Sequence, residues 1–328
     1  MRVAIAGLKG HQGVAVAGLA KIEGAALVAV SDDAPGAAEA AGGWSVAAPD
    51  FKAYRDWRRM LDEQDLDVLV EAGVDSERAD VLCAALDRGI HVLAEKPLAY
   101  DLEALERVRS AHAASGSCLS MLLTMRYEPL YRTVRAQVQE GRLGRICLAS
   151  MQKSYRLGDR PAWQRNRDTF SGIIPFIGIH ALDLIVWTTG LKPVAGFAYQ
   201  ANTGHPAIGD MEDNAVVGLE LERGAHACLR LDYCRPAKAP THGDDRLRLA
   251  GSQGVIEAWG ATQRVTLMTN DEEPRDLTLP EAPDLFVEFA QAAIEGRQAP
   301  ISAAECLDMS EAVLKLRQAA RERRIAQL

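Results

Sequence analysis

From Arg2 to Leu123 the chain switches repeatedly between short β-rich runs and stretches of helical periodicity, and this alternation limits its possible folds more than any other feature. The strand candidates are Arg2 to Ala6, Ala26 to Val30, Val68 to Ala72, His91 to Ala94 and Ser117 to Leu123. Between them lie helical stretches at Val14 to Ile22, Trp57 to Glu63, Arg78 to Arg88 and Leu102 to Ala114. Strands separated by helices of this length pair in parallel, so the expected fold is α/β: a doubly wound, Rossmann-like parallel sheet. After residue 123 the pattern changes. A helix from Leu130 to Glu140 precedes extended runs at Ile146 to Ser154, Val194 to Ala201, Asn214 to Leu221, Ala225 to Asp232, Asp245 to Ala250, Val255 to Trp259 and Val265 to Met268. Short turns such as Glu222-Arg223-Gly224 join several of them, which predicts an α+β domain on a large, mostly antiparallel sheet. The expected domains are therefore 1–123 and 124–328, in keeping with a chain of 328 residues. A large sheet needs a cover on each face, and a homodimer or homotetramer would supply one. The helical stretches Asp284 to Ile294 and Ala303 to Arg321 read as packing.

Composition narrows the function classes. Lys and Arg total 37 against 45 acids, a net charge of -8, which argues against a nucleic-acid or membrane surface. The six cysteines are scattered without a C-x-x-C pair, so reduced thiols in a cytoplasmic protein are expected. The apolar run at the N-terminus is too short for a signal peptide or a membrane span.

The first strand breaks at Gly7-Leu8-Lys9-Gly10-His11-Gln12-Gly13 and a helix follows. Glycines at such a turn let the backbone approach a pyrophosphate, and the helix start offers free N–H groups. The spacing is G-x-x-G-x-x-G, one residue longer in its first half than the dinucleotide fingerprint, and alone it also fits a plain tight turn. Asp32, at the end of the next strand, sits where an acid binds the adenosine ribose and repels a 2′-phosphate, so NAD is expected over NADP. Gly73 ends another strand at the same sheet edge. There too lies His91-Val92-Leu93-Ala94-Glu95-Lys96-Pro97, where Pro97 stops the ladder and leaves Lys96 at a strand's carboxyl end, either placed to touch a ligand or simply a solvated loop lysine.

In the second half, His180 and Asp183 lie three apart on an apolar helical stretch and share a face. The histidine reads either as a general base or as a core residue paired with Asp183. Upstream, the stretch from Lys153 to Arg167 is dense in long hydrogen-bond donors and suits an oxygen-rich ligand, or else a solvated connection. Lys153, Tyr155, Arg156 and Trp163 are its pocket candidates.

Taken in this order, Gly7 to Gly13 with Asp32, Glu95-Lys96-Pro97, Met125-Arg126-Tyr127 with Pro129, Gly141-Arg142-Leu143-Gly144 and Gly178-Ile179-His180-Ala181-Leu182-Asp183 resemble the glucose-fructose oxidoreductase, inositol dehydrogenase and rhizopine-catabolism (Gfo/Idh/MocA) family, nearly end to end. The resemblance implies an NAD-dependent oxidoreductase acting on a sugar, an inositol-like polyol or a sugar acid. It puts Lys96 beside the nicotinamide and the reacting hydroxyl, makes His180 the acid/base, and groups Glu95, Pro97 and Arg126 with the cofactor. One position departs from it. Dehydrogenases of this family carry an aspartate four residues before the histidine, where this chain has Phe176. Either Asp183 orients His180 instead, or another acid such as Asp159 or Asp168 enters, or simple polyol oxidation is not the reaction. Two other functions stay open: an NAD-assisted elimination or glycoside cleavage without net redox change, and a non-catalytic regulator that senses NAD and a sugar.

Overall fold

The computed structural model describes residues 1–328, which divide into two compact units. The first comprises Met1–Leu122 and Pro283–Ser310, the second Leu123–Ala282 and Glu311–Leu328. The sequence reading ran the second domain unbroken from 124 to 328. The difference arises at the helix Leu285–Ile294, whose N-cap Asp284 pairs with Lys21 at 2.8 Å and whose Phe286 lies against Gly18, both in the first unit.

In the first unit the elements run β1 Arg2–Ala6, α1 Gln12–Leu19, β2 Ala26–Ser31, α2 Ala37–Ala41, β3 Ala47–Tyr54, α3 Trp57–Glu63, β4 Val68–Glu71, α4 Asp75–Leu86, β5 His91–Ala94, α5 Leu102–Ser115 and β6 Leu119–Met121. The strands form one parallel sheet in the order β3-β2-β1-β4-β5-β6. Its inner strands are apolar on both faces, as a sheet covered on both sides requires: Val3 to Ala6, Leu27 to Val30, Val68 to Val70 and Val92 to Ala94 are all buried. The strand order reverses at β1, so the carboxyl ends of β1 and β4 flank the crevice where such sheets bind ligands. Strand β3 has no counterpart in the sequence reading. It is an edge strand carrying Pro49 and several exposed residues, so neither apolar alternation nor continuous hydrophobicity marks it.

The second unit contains α6 Pro129–Gln139, β7 Ile146–Arg156, α7 Ile179–Thr189, β8 Pro193–Ala201, β9 Asn214–Leu221, β10 His226–Arg235, β11 Arg246–Gly251, β12 Gly254–Trp259, β13 Arg264–Thr269 and β14 Arg275–Asp276. Next come α8 Leu285–Ile294 of the first unit, α9 Ala303–Glu322, which starts in the first unit and ends in the second, and β15 Ala326–Gln327. The sheet order is β14-β13-β12-β11-β7-β10-β9-β8-β15; the β7–β10 pair is parallel and every other pair antiparallel. Strand-by-strand alternation gives two unlike faces. Leu219, Leu229, Leu231, Leu247, Leu249 and Leu267 are buried on one. On the other, cross-strand register aligns Tyr199, Val216, Arg230, Gln152, Arg246 and Trp259 in one row. Tyr199 and Trp259 at its ends remain 61% and 40% exposed.

Candidate active site

The glycine turn of the first unit is built by close approach. Gly7 has φ +85, a region open to glycine, and a Cβ there would strike the backbone of Gly73 at the end of β4. A Cβ on Gly10 would strike the carboxylate of Glu95. The sequence thus brings the ends of β1, β4 and β5 together around Gly7, Gly73 and Glu95. Backbone bonds fix the turn: Gly7 N donates to Ser31 O at 2.7 Å and Lys9 N to Ala72 O at 2.8 Å. At the start of α1 no backbone carbonyl accepts from the amides of Gln12 and Gly13, and a Cβ on Gly13 would meet open space. That donor pair beside a cleared approach is what a dinucleotide pyrophosphate needs. Asp32 lies at the same edge; its carboxylate is 2% exposed and accepts from Leu8 N at 2.8 Å.

Glu95 is the hub of this edge. Its carboxylate accepts from the His11 backbone N–H, lies 2.6 Å from His11 Nδ1, and takes Lys96 N at 3.2 Å, with Lys96 Nζ at 3.8 Å. Burial pushes the Glu95 carboxyl up, but His11, Lys96 and Arg78 outweigh it and hold the group well below the usual carboxylate range. Lys96 is therefore no solvated loop lysine: it is 2% exposed and sits against a fixed anion. The Lys96-Pro97 peptide bond is cis. Arg78 secures this loop from beneath, donating to Pro97 O at 2.7 Å, Gly73 O at 3.1 Å, Glu71 Oε2 at 2.6 Å and Asp75 Oδ1 at 3.1 Å. Sequence reasoning missed Arg78 and Glu71, although an acid ending a buried strand was a visible sign of an internal pair.

In the second unit a π-turn, Ile174–Gly178, leads into α7, where His180 is the second residue and is buried. Phe176, where the resemblance leads one to expect an aspartate, packs edge-on to Phe170 at 5.1 Å and to Trp163 at 6.0 Å and so belongs to an aromatic cluster. Of the substitutes weighed for it, Asp159 is fully exposed and paired with Arg165, Asp168 is exposed, and Asp183 is gripped by Arg126. The Arg126 fork donates to Asp183 from Nη2 at 2.6 Å and from Nε at 3.0 Å. Arg126, grouped with the cofactor on resemblance, thus forms a buried ion pair with Asp183.

The donor-rich stretch splits. Lys153 is 1% exposed and donates to Asp245 Oδ2 at 2.7 Å, while Tyr155 OH reaches the same oxygen at 3.2 Å. Burial disfavours the Lys153 ammonium, yet Tyr155 and Asp245 overcome it and raise its pKa; burial pushes Tyr155 up to about 12. Arg156 instead donates to Ala237 O at 3.1 Å. Two members of the Lys153 cluster escaped the sequence reading: Asp245, and Glu128, whose carboxyl is pushed up by burial to about 7 with Lys153 opposing and Asp245 adding. Glu128 lay inside the quoted Tyr127 to Pro129 run, where it is the N-cap residue of α6, and no local pattern tells that its carboxyl is half-buried beside Lys153 and Asp245.

Residues 1–122 match the family model described as oxidoreductase family, NAD-binding Rossmann fold, and residues 131–257 match the GFO/IDH/MocA C-terminal domain. Inositol 2-dehydrogenase 2 of Saccharopolyspora erythraea is 29% identical over 205 residues, covering 62% of this chain and 58% of that protein; the chain thus aligns with somewhat more than half of that enzyme. A solved structure from Thermotoga maritima, designated an oxidoreductase only provisionally, is 32% identical with a TM-score of 0.94, all of each chain being covered. An inositol dehydrogenase homologue from Azotobacter vinelandii, solved with NAD+, shares the fold at 19% identity and a TM-score of 0.85, with 100% and 97% coverage. With both family domains matched in order, and with the glycine turn, Glu95-Lys96-Pro97 and His180 arranged as described, the chain belongs to the Gfo/Idh/MocA oxidoreductase family and its first unit is that family's NAD-binding Rossmann fold.

Proposed function

We propose that this protein is an NAD-dependent oxidoreductase that oxidises, or in reverse forms, a secondary hydroxyl of a sugar, an inositol-like polyol or a sugar acid. The observation that carries the reading is the fixed Lys96: a cation 2% exposed, set against Glu95 at the carboxyl edge of a dinucleotide-binding sheet. When bound, NAD supplies the hydride acceptor. Lys96 then stabilises negative charge on the substrate oxygen as the hydroxyl proton leaves, and the imidazole of His180 receives that proton. Glu95, tied to His11, keeps the lysine in place. Lys153, Tyr155 and Trp163 serve the hydroxyl-rich substrate, with the Lys153–Asp245 pair as a preset polar wall. Names of relatives support the class: the Saccharopolyspora protein is an inositol 2-dehydrogenase.

The test is to incubate the protein with NAD and a panel of inositols, aldoses and sugar acids and to follow the reduced nicotinamide by absorbance. Steady accumulation with one substrate group supports the reading. Because Phe176 puts an aromatic ring where the family's aspartate stands, a second outcome matters: substrate conversion without accumulation of reduced nicotinamide would point to transient oxidation during elimination. Binding of NAD and sugar with no conversion would point to a sensor.

We also propose that the open face of the nine-stranded sheet joins a second copy of the chain. Leu148, Phe197, Tyr199, Val216 and Trp259 are exposed on it and alternate with arginines and acids, a mixture suited to a self-complementary contact.

A further inference from the structure

Three side chains of metal-binding type meet in the second unit, where the loop between β8 and β9 passes the end of β10. His205, Asp213 and Cys234 each offer one ligand atom, and these atoms all lie within 4.8 Å of one another. Spacing along the chain hides the group: His205 lies inside the loop, Asp213 immediately before β9 and Cys234 near the end of β10. Antiparallel pairing brings the last two together, since Asn214 faces Asp232 and Tyr233 N donates to Asp213 O at 2.8 Å.

Asp213 is held as a metal ligand is held. Its carboxylate is 0% exposed, and His205 is its ion-pair partner. A carboxylate offers about four lone-pair sites. Three are taken by donors of the local fold: Thr203 N at 3.1 Å and Asn214 Nδ2 at 2.6 Å on Oδ1, and Gly204 N at 2.6 Å on Oδ2. The fourth faces His205 Nδ1, 3.1 Å from Oδ2. That separation is close to the one between two ligands of a single tetrahedral ion, because bonds of about 2.0–2.3 Å set neighbouring ligand atoms roughly 3.3–3.8 Å apart. Gly204 keeps the space beside the pair clear: a Cβ there would lie 3.0 Å from Asp213 Oδ2 and 3.8 Å from Cys234 Sγ, between carboxylate and thiol. The imidazole is 31% exposed and Cys234 is exposed, so an ion can enter from water.

We propose that His205, Asp213 and Cys234 form a binding site for Zn2+, with water as the fourth ligand. One carboxylate and one thiolate neutralise the dication, and a site that mixes thiolate sulfur with imidazole nitrogen favours zinc over magnesium or calcium. On binding, the Cys234 thiol releases its proton to solvent, and the ion takes the place of the hydrogen bond between His205 Nδ1 and Asp213 Oδ2. Asn214 and the amides of Thr203 and Gly204 stay on the carboxylate and orient it from behind. The ion acts as a clasp. The same loop is tied to the segment that leads to Phe170, for Asp210 N donates to Arg165 O at 3.0 Å and Arg167 donates to Asp210 O and to Glu212. Joining His205 to β10 therefore steadies the backing of Trp163 and Phe170.

Titration of the full chain with Co2+ as a spectroscopic stand-in, and then with Zn2+, tests this, the chain having been stripped of metal by a chelator and kept reduced. We expect a sulfur-to-cobalt charge-transfer band together with the visible bands of tetrahedral Co2+, both saturating at one ion per chain and both lost when Zn2+ displaces the cobalt. Cys234→Ser should abolish the charge-transfer band. His205→Ala should weaken Zn2+ binding at least as far as loss of a partner behind a ligand does, about ten- to hundredfold. Serine is a small change at the exposed Cys234, and a circular dichroism spectrum equal to that of wild type shows the variant to be folded. If wild type gives no charge-transfer band, if the band survives Cys234→Ser, or if His205→Ala binds Zn2+ as tightly as wild type does, the proposal is overturned.

Discussion

Glu128 shows how a single half-buried group sets a measurable pH response. Its carboxyl is pushed up to about 7, mainly by burial, against an ordinary value of 4.5. Between those values the folded chain holds a proton that the unfolded chain has released, so stability falls as pH rises through this window and is fullest below it. Allowing for partial exposure, the cost of ionising Glu128 in the fold is on the order of 2 kcal/mol. Glu128→Gln should therefore be more stable than wild type at pH 8 by about that amount and nearly equal to it at pH 4.5, read as urea midpoints; equal gains at both pH values would mean that the carboxyl is not displaced. Individual residues were legible in the sequence where chemistry is local. Gly7, Asp32 and Lys96 each sit beside a strand end that periodicity reveals. Partnerships were not legible. Nothing in the sequence around residue 126 tells that its guanidinium meets Asp183, 57 positions away, or that Lys153 meets Asp245 across 92.

At the scale of elements, the carboxyl edge of the first sheet is held by one internal arginine. Arg78 of α4 ties the ends of β4 and β5 through Glu71, Gly73 and Pro97, and it is 1% exposed. Glu71, Asp75 and Glu95 hold it charged against the pull of burial. Arg78→Ala strands Glu71 and Asp75 without their cation and should cost about 3–5 kcal/mol, seen as a lower urea midpoint. A loss under about 1 kcal/mol would mean that the network does not hold the edge. Elements with a strong period were legible: α6 and most strands of the second sheet follow the expected runs to within a few residues. The misses share a physical cause. Strand β3 gains its identity from pairing with β2 rather than from its own side chains, and β15 is only two residues paired to β8. The return of α8 to α1 depends on Asp284 capping the helix and meeting Lys21, a contact 263 positions apart.

At the scale of the whole molecule, the open sheet face and the active-site roles make separable claims. If the face joins two copies, placing aspartates at Phe197 and Tyr199 should shift the sedimentation coefficient to that of a single chain and leave NAD binding intact; an unchanged species, or a wild type already monomeric, would refute the interface. Fold class and family were open to sequence reasoning because glycine turn, strand end and helix face occur in fixed order along the chain. The substrate was not, since position 176, where the resemblance leads one to expect an aspartate, holds a phenylalanine that names no polar partner. The most direct measurement compares wild type, Lys96→Ala and His180→Ala for NAD binding by calorimetry and for reduction of NAD in the presence of the best polyol or sugar. The account predicts turnover in wild type, a loss of at least a hundredfold in either variant, as expected for removing a charge stabiliser or a general base, and NAD affinity within about threefold throughout. Turnover that survives both replacements would contradict it.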